Sequence, residues 1–482
     1  MTEALFEEFE PAAREQWLDA VLKSLGSETV DSLITKTYEG IDIHPLPQAA
    51  DLAGIQHHHS LPGQFPYVRG TRAGGYRARP WLITGELDLS DPRDFNRALR
   101  DGLANGQTAI ALPDNPQLND LADIRLALAD IDLERFPLLI QSDARAPEIY
   151  DLLVRALDDE SLARLSGCIG YDPLNGLART GSMPDEAFER LAAHVETAAD
   201  HSPQLGSIAV GTAVYHAAGA NAVQELALAI ATGVAYLRAL NDRGLAVEKV
   251  ASKLHFFLNI GENFFMEVAK FRAIKLLWAQ VLRAFGLRQN IYIHARSGAR
   301  NKSRLDAHVN LLRLTTEALS AAIGGADSIQ LVPFDQPLGA SDDFSRRLSR
   351  NLQLILGEEL RLVELIDPAG GAWHVEKLTD QLARAAWSSF QRIEADGGLL
   401  ASLRSGALQA EIEEVAAQRR RDMANGDSVL VGVNRYVDPA AAPQRNDMAD
   451  ESVSDSANIH LLTPLRLAEP YEARLADSGS GS

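Results

Sequence analysis

The run PGQFPYVRGTRAGGYRARPWLITGE, residues 62–86, is where an irregular leading segment gives way to alternating strands and helices. Glycines at 63, 70, 74 and 75 leave the backbone little restricted and able to lie close to a ligand. Between them stand Arg69, Arg72, Arg77 and Arg79 together with Phe65, Tyr67, Tyr76 and Trp81. In a chain of 482 residues with a formal net charge of -20, four arginines in eleven residues run against the general balance. Guanidinium groups pair with phosphate and stack on planar rings, so such a loop suits a phosphorylated ligand. A surface loop whose arginines neutralise acidic neighbours is the plainer reading of the same composition.

Downstream of this run, short apolar stretches alternate with amphipathic ones. Strands are expected at 82–87, 108–112, 138–141, 165–170, 207–210, 253–258, 291–295 and 328–332. Helical patterns lie at 92–103, 185–199, 220–241, 263–285, 306–323 and 342–357. Eight strands alternating with helices predict an α/β fold, a (β/α)8 barrel. Ligands of such barrels bind at the C-terminal strand ends. Those ends carry Glu86, Asp114, Ser142 with Asp143, Tyr171 with Asp172, Tyr215 with His216, Asn259, His294 with Arg296, and Asp335. This polar ring suits a ligand site, although polar loops also occur there without one.

The flanks divide the chain further. Residues 1–60 read as an arm for subunit contact, with Phe6, Phe9, Trp17, Val21, Leu22 and Leu25 at helical spacing. An apolar stripe must be buried, on the main domain or on another subunit. Residues 61–340 form the barrel, 341–440 a mostly helical extension with an extended piece at 428–437, and 441–482 a polar, partly disordered tail ending in SGSGS.

Hydrophobic content of 46% with 23% charged residues is that of a soluble globular protein with a sizeable core. The acidic balance argues against nucleic acid or an anionic membrane as main partner. The single cysteine, Cys168, lies in a strand-like Gly-Cys-Ile-Gly run and reads as an inert core thiol in a reducing cytoplasm. The acidic start of the chain is no signal peptide, and no stretch approaches ~18 uninterrupted apolar residues. His57, His58 and His59 are adjacent and cannot all converge on one ion, so they read as a solvated loop and no metal site is expected.

The order of residues in 62–86 resembles the approach to the barrel of the adenosylcobalamin-dependent acyl-CoA mutases, the methylmalonyl-CoA mutase family. Pro66, Arg69, Gly70, Tyr76, Arg79, Pro80, Trp81 and Ile83 fit the family run. Further blocks follow in order: Glu39-Gly40-Ile41 with Pro45-Leu46, the segment 214–220 (VYHAAGA), the block 254–279 (LHFFLNIGENFFMEVAKFRAIKLLWA), Gly324-Gly325-Ala326-Asp327, Asp367-Pro368, Glu376-Lys377-Leu378 and Val431-Gly432-Val433-Asn434. Periodicity alone reads 254–279 only as a strand followed by a buried helix. The resemblance covers roughly residues 39–440. It implies that Arg69, Tyr76 and Arg79 would hold coenzyme A phosphates, if that site is retained, and that His216 would donate to a thioester carbonyl. A salt bridge at the barrel mouth for Arg79, and a packing role for His216, are the plainer alternatives.

Three departures from the family pattern stand beside these matches. Glu86 replaces the catalytic tyrosine. The segment 294–300 (HARSGAR) places Arg296 and Arg300 in a block where active members carry neither. The block with the arginine that binds the substrate carboxylate is unmatched, with Arg179 the nearest candidate. A cobalamin domain is also missing: Asp42-Ile43-His44 begins the D-x-H-x-x-G motif, but Pro47 stands where glycine is needed.

The resemblance therefore implies a non-catalytic small subunit of a heterodimeric mutase of propionate metabolism. It would bind no cofactor by itself, and its large partner subunit would carry adenosylcobalamin and the chemistry. A catalytic barrel using a separate cobalamin subunit, or a module that binds acyl-CoA without turnover, are the alternatives. An axial channel filled by large side chains favours the first reading and an open one the other two.

Overall fold

The computed structural model describes residues 13–26, 29–112, 118–339, 341–438 and 459–479. Seven parallel strands form one curled sheet: β1 (Leu82–Gly85), β2 (Leu138–Ser142), β3 (Gly167–Tyr171), β4 (Leu205–Gly211), β5 (Leu254–Ile260), β6 (Tyr292–Ser297) and β7 (Ser328–Leu331). They lie in the order β1-β7-β6-β5-β4-β3-β2. The eighth stave is the segment 108–112, which fills the gap between β1 and β2. There Thr108 N and Ala109 N donate to Ile83 O, while Ile110 N donates to Pro137 O and Ile110 O accepts from Leu139 N. Only a single bridge, Ile110 to Leu138, forms where a strand was expected. Side chains supply the rest: Ile83 N donates to Thr108 Oγ1 at 2.8 Å, and Gln107 Nε2 donates to Ala109 O at 2.8 Å. The staves and their helices make the expected (β/α)8 architecture.

Several barrel helices start at a side chain that satisfies free backbone N–H groups. Asp91 caps Pro92–Ala104, Asn263 caps Phe264–Ala284, and Asn221 forms a capping box with Gln224 at the start of Ala222–Asn241. Ala222–Asn241 is apolar on nearly every side, and among the described residues it is the one helix long and apolar enough to cross a membrane. It is mostly buried instead, because the helix Trp373–Ala395 of the C-terminal extension packs across both it and Phe264–Ala284. A helix apolar all round requires such cover.

Strand alternation decides what fills the barrel. On β5, Phe256 faces outward against Trp278, so His255, Phe257 and Asn259 face the axis. On β6 the same register turns Tyr292, His294 and Arg296 inward. His255 stacks on Tyr292 with ring centroids 4.4 Å apart, and Phe257 packs on His294 at 5.0 Å. Phe257 also closes a small apolar cluster with Cys168 and Ala209. The interior is a packed core of two ring layers.

The flanks are tied down unequally. Thr35–Lys36 pairs with Asp42–Ile43, and Asn221 Nδ2 donates to Tyr38 O at 2.7 Å. The helix Arg14–Leu25 has no fully buried residue: Trp17, Val21 and Leu22 are half-buried and Leu25 is 48% exposed, so the expected apolar stripe is only partly covered among the described residues. Phe6 and Phe9 lie outside the described residues. The piece at 428–437 is a tight turn rather than an extended segment, because the Asn434 amide donates to Met423 O and Ser428 O. Within the stretch read as a polar tail, residues 459–479 pack on the barrel: Leu465 N donates to Ala217 O, Leu467 N donates to Arg300 O, and a helix, Glu469–Gly479, follows.

Candidate functional site at the barrel mouth

The residues singled out by sequence separate to opposite ends of the barrel. Arg69, Tyr76 and Arg79 stand before β1, at the N-terminal strand ends. Two of them have internal partners. Arg69 Nε donates to Asp367 at 2.6 Å, and Asp367 also takes Arg272, whose other nitrogen reaches the buried Glu376 at 2.8 Å. The Tyr76 hydroxyl donates to Ala326 O at 2.7 Å, with its ring edge-on to Trp81. Arg72 pairs with the buried Asp327 at 3.1 Å. Arg79 is exposed and its side chain makes no hydrogen bond or ion pair among the described residues.

At the C-terminal strand ends, Glu86 meets Arg296. Arg296 Nη2 and Nε donate to Glu86 Oε2 at 2.7 and 3.1 Å, and Gln330 Nε2 donates to the same oxygen at 3.2 Å. Gln330 Oε1 lies 3.2 Å from His294 Nε2, whose ring partner Nδ1 lies 2.8 Å from the Ser328 hydroxyl. Burial first, then the charge of Arg296, holds the His294 imidazole down at about 3. It is therefore neutral, with Nε2–H donating to Gln330 and Nδ1 accepting from Ser328. These groups line a cavity of about 290 Å³ with Leu112, Leu139, Gln141 and Phe257.

His216 lies to one side, in a sealed pocket of charge. The strand β4 ends at Gly211, a short helix, Ala213–Ala217, carries the histidine, and the turn at Gly219 leads into the capped helix that presents Glu225. A Cβ on Gly219 would come within 2.8 Å of Ala416, so only glycine lets the C-terminal helix approach there. His216 Nδ1 is 2.5 Å from Glu225 Oε1, and Lys270 Nζ bonds the other Glu225 oxygen at 3.1 Å and Asn259 O at 2.8 Å. Arg300 donates to His216 O and Ala220 O and pairs with Glu262, which also takes Arg419. Burial opposes the Glu225 charge, but Lys270 and His216 outweigh it and leave the carboxyl at about 2. Burial and Arg300 hold His216 at about 4. The ionised Glu225 takes the Nδ1 proton, so Nε2 is an acceptor and cannot donate to a carbonyl without an imidazolium that these surroundings oppose. Gly298 covers the ring: a Cβ there would lie 3.1 Å from Nε2.

The remaining candidates serve local structure. Arg179 Nε donates to Asp143 at 2.8 Å on the barrel rim. Asp172 is buried at the end of β3 and accepts from the Tyr236 hydroxyl at 2.6 Å and Gly211 N at 2.7 Å, and burial raises its carboxyl to about 7. Ser142 accepts from Arg145 N, Tyr171 and Tyr215 are buried, and Asp335 accepts from Ser341. Asp114 lies outside the described residues. His57 faces Asp380 at 3.8 Å while the His58 and His59 rings lie against each other. Asp42 of the partial cobalamin motif pairs with Lys36 at 2.5 Å in the arm. That places it on a two-residue ribbon. Gln330, Gln141, Glu225 and Lys270 were not singled out by sequence. Their pairings leave no motif in the sequence, and only the shared inward register of the strands could have drawn attention to Gln141 and Gln330.

The methylmalonyl-CoA mutase family profile matches residues 36–117 and 116–469. The chain is 34% identical to the methylmalonyl-CoA mutase small subunit of Streptomyces virginiae over 95% of its length and 78% of that protein. It is 32% identical to the small subunit of Porphyromonas gingivalis over 99% of its length and 79% of that protein. The large subunit of Streptomyces virginiae is also a relative, at 32% identity over 88% of this chain and 62% of that one. The chain belongs to the methylmalonyl-CoA mutase family.

Proposed function

We propose that this chain is the supporting, non-catalytic small subunit of a heterodimeric mutase. A large partner subunit holds adenosylcobalamin and interconverts methylmalonyl-CoA and succinyl-CoA by radical 1,2-rearrangement. The cofactor supplies the radical chemistry, and this barrel supports the subunit that positions it. The complex is placed in a reducing cytoplasm, where the buried Cys168 stays a thiol.

One observation carries this reading. The arginines suited to coenzyme A phosphates stand at one end of the barrel and His216 at the other, roughly 20 Å apart along strands of this length. An acyl-CoA touching both would have to run along the axis. That path is filled by the His255–Tyr292 and Phe257–His294 ring pairs, and its upper end is crossed by Glu86 and Arg296. The partly covered helix Arg14–Leu25 supports an assembly with a second subunit, since its Trp17–Leu22 stripe is only half-buried among the described residues. The exposed Arg79 favours the second reading, a module that holds acyl-CoA without turnover.

Calorimetric titration of the chain with propionyl-CoA separates the two. The supporting-subunit reading predicts no saturable heat at millimolar ligand. Saturable binding abolished by Arg79→Ala would establish the acyl-CoA module instead.

A further inference from the structure

The axial filling stops short of the C-terminal mouth, and the cavity of about 290 Å³ above it is not accounted for by a purely supporting role. Its floor is apolar: Phe257, Leu139 and Leu112. Its rim is polar and unevenly balanced. Glu86 receives all three of its hydrogen bonds on Oε2, leaving Oε1 without a donor among the described residues. Gln141 uses its amide nitrogen on Asp172, at 3.3 Å, and its oxygen has no donor among the described residues. Asp88 is exposed and lines the same cavity with no hydrogen bond of its own among the described residues. On the donor side, among the described residues, only Arg296 remains, with Nη1 unused. His294 is neutral and both its nitrogens are engaged.

The rim therefore offers two carboxylates and an amide oxygen against one guanidinium that Glu86 already neutralises. Charge and hydrogen-bond capacity both call for a ligand rich in donors and positively charged. Concave sites with an apolar floor and a few convergent polar groups are the usual form of a small-molecule site, and the C-terminal barrel mouth is its usual place. We propose that the mouth of this barrel binds a compact primary ammonium, held by Glu86 Oε1 and Asp88 with its carbon chain on Phe257 and Leu139. Anionic acyl groups would be refused there. The proposal stands apart from the partnership with a large subunit, because every group it uses belongs to this chain.

The test is calorimetric titration of the full chain with butane-1,4-diamine and, separately, with succinate, at low ionic strength. Saturable binding of the diamine and none of succinate is expected. Glu86→Gln keeps a hydrogen-bonding group in place and should weaken the diamine about tenfold or more, the worth of a charge-assisted bond. Asp88→Asn sits on the surface without a structural partner and should weaken it by a smaller factor with the fold intact. Arg296→Met has the opposite expected sign: it releases the Glu86 carboxylate and should tighten the diamine. Binding of succinate in preference to the diamine, no diamine binding, or diamine binding indifferent to both Glu86→Gln and Asp88→Asn would each overturn the proposal.

Discussion

Glu86 and Arg296 meet across the barrel mouth, with Arg296 Nη2 donating to Glu86 Oε2 at 2.7 Å although the two residues lie 210 positions apart. Both are departures from the pattern of active family members, and each is the partner the other needs. Arg300 repeats the logic deeper in, pairing with Glu262 and capping the His216 and Ala220 carbonyls. The two arginines that had no explanation in the sequence are accounted for by these carboxylates. The barrel mouth is thus crossed by a polar bridge.

The bridge is partly exposed, at 39% for the Arg296 side chain and 20% for Glu86, so it contributes little to stability. Glu86→Gln should cost no more than about 1 kcal/mol, read from urea denaturation midpoints. A loss several times larger would mean that the pair holds the barrel together.

Arg272 is the opposite case. It is buried between Asp367 and Glu376, and Glu376 is fully buried. Arg272→Met would leave the buried Glu376 without its cation and Asp367 with Arg69 alone, and the expected loss is about 3–5 kcal/mol by the same measurement.

The ring filling predicts a cavity penalty. Phe257→Ala removes a buried side chain between His294 and the Cys168–Ala209 cluster and should cost about 3–5 kcal/mol. If the interior were open to ligand, the cost would be near the lower transfer value alone.

Three buried histidines set a pH dependence. His216 is held at about 4, and His255 and His294 at about 3, by burial first and by neighbouring cations second. Each folded value lies below the ordinary 6.5, so the unfolded chain binds protons that the folded chain refuses. Stability should fall as pH drops from about 6.5 toward 4. Asp172, raised to about 7, works in the other direction over the same window, because its folded carboxyl gains a proton before the unfolded one does. Comparing His255→Gln with wild type isolates the histidine contribution: the variant should lose less stability between pH 7 and 5. An unchanged slope would contradict a neutral buried His255.

Much of the architecture was legible because strand alternation is a local signal. All eight stave positions were placed from apolar runs, including 108–112, whose ladder is replaced in part by Gln107 and Thr108 side chains. The tail was less legible. Ile459, Leu462, Leu465 and Leu467 are spaced for neither a helix nor a strand, and they are buried only because the barrel offers them carbonyls and apolar surface. At the site, His216 and Glu86 could be read from motifs. Arg296 was singled out as well, but its pairing with Glu86 was not, and Glu225 and Lys270 were missed, since an ion pair leaves no periodic trace in the sequence. Arg69 and Tyr76 looked like ligand groups by composition, and their folded partners, Asp367 and Ala326 O, lie far along the chain.

The central claim is that this barrel supports turnover without performing it, and mutase activity tests it most directly. Methylmalonyl-CoA and adenosylcobalamin are supplied to this chain alone, to the large subunit alone, and to the two together. The account predicts silence from this chain and activity in the mixture that is unchanged by Arg79→Ala here, an exposed position with no structural partner. Turnover by this chain alone, or loss of the mixture's activity on Arg79→Ala, would contradict it and place an acyl-CoA site in this barrel.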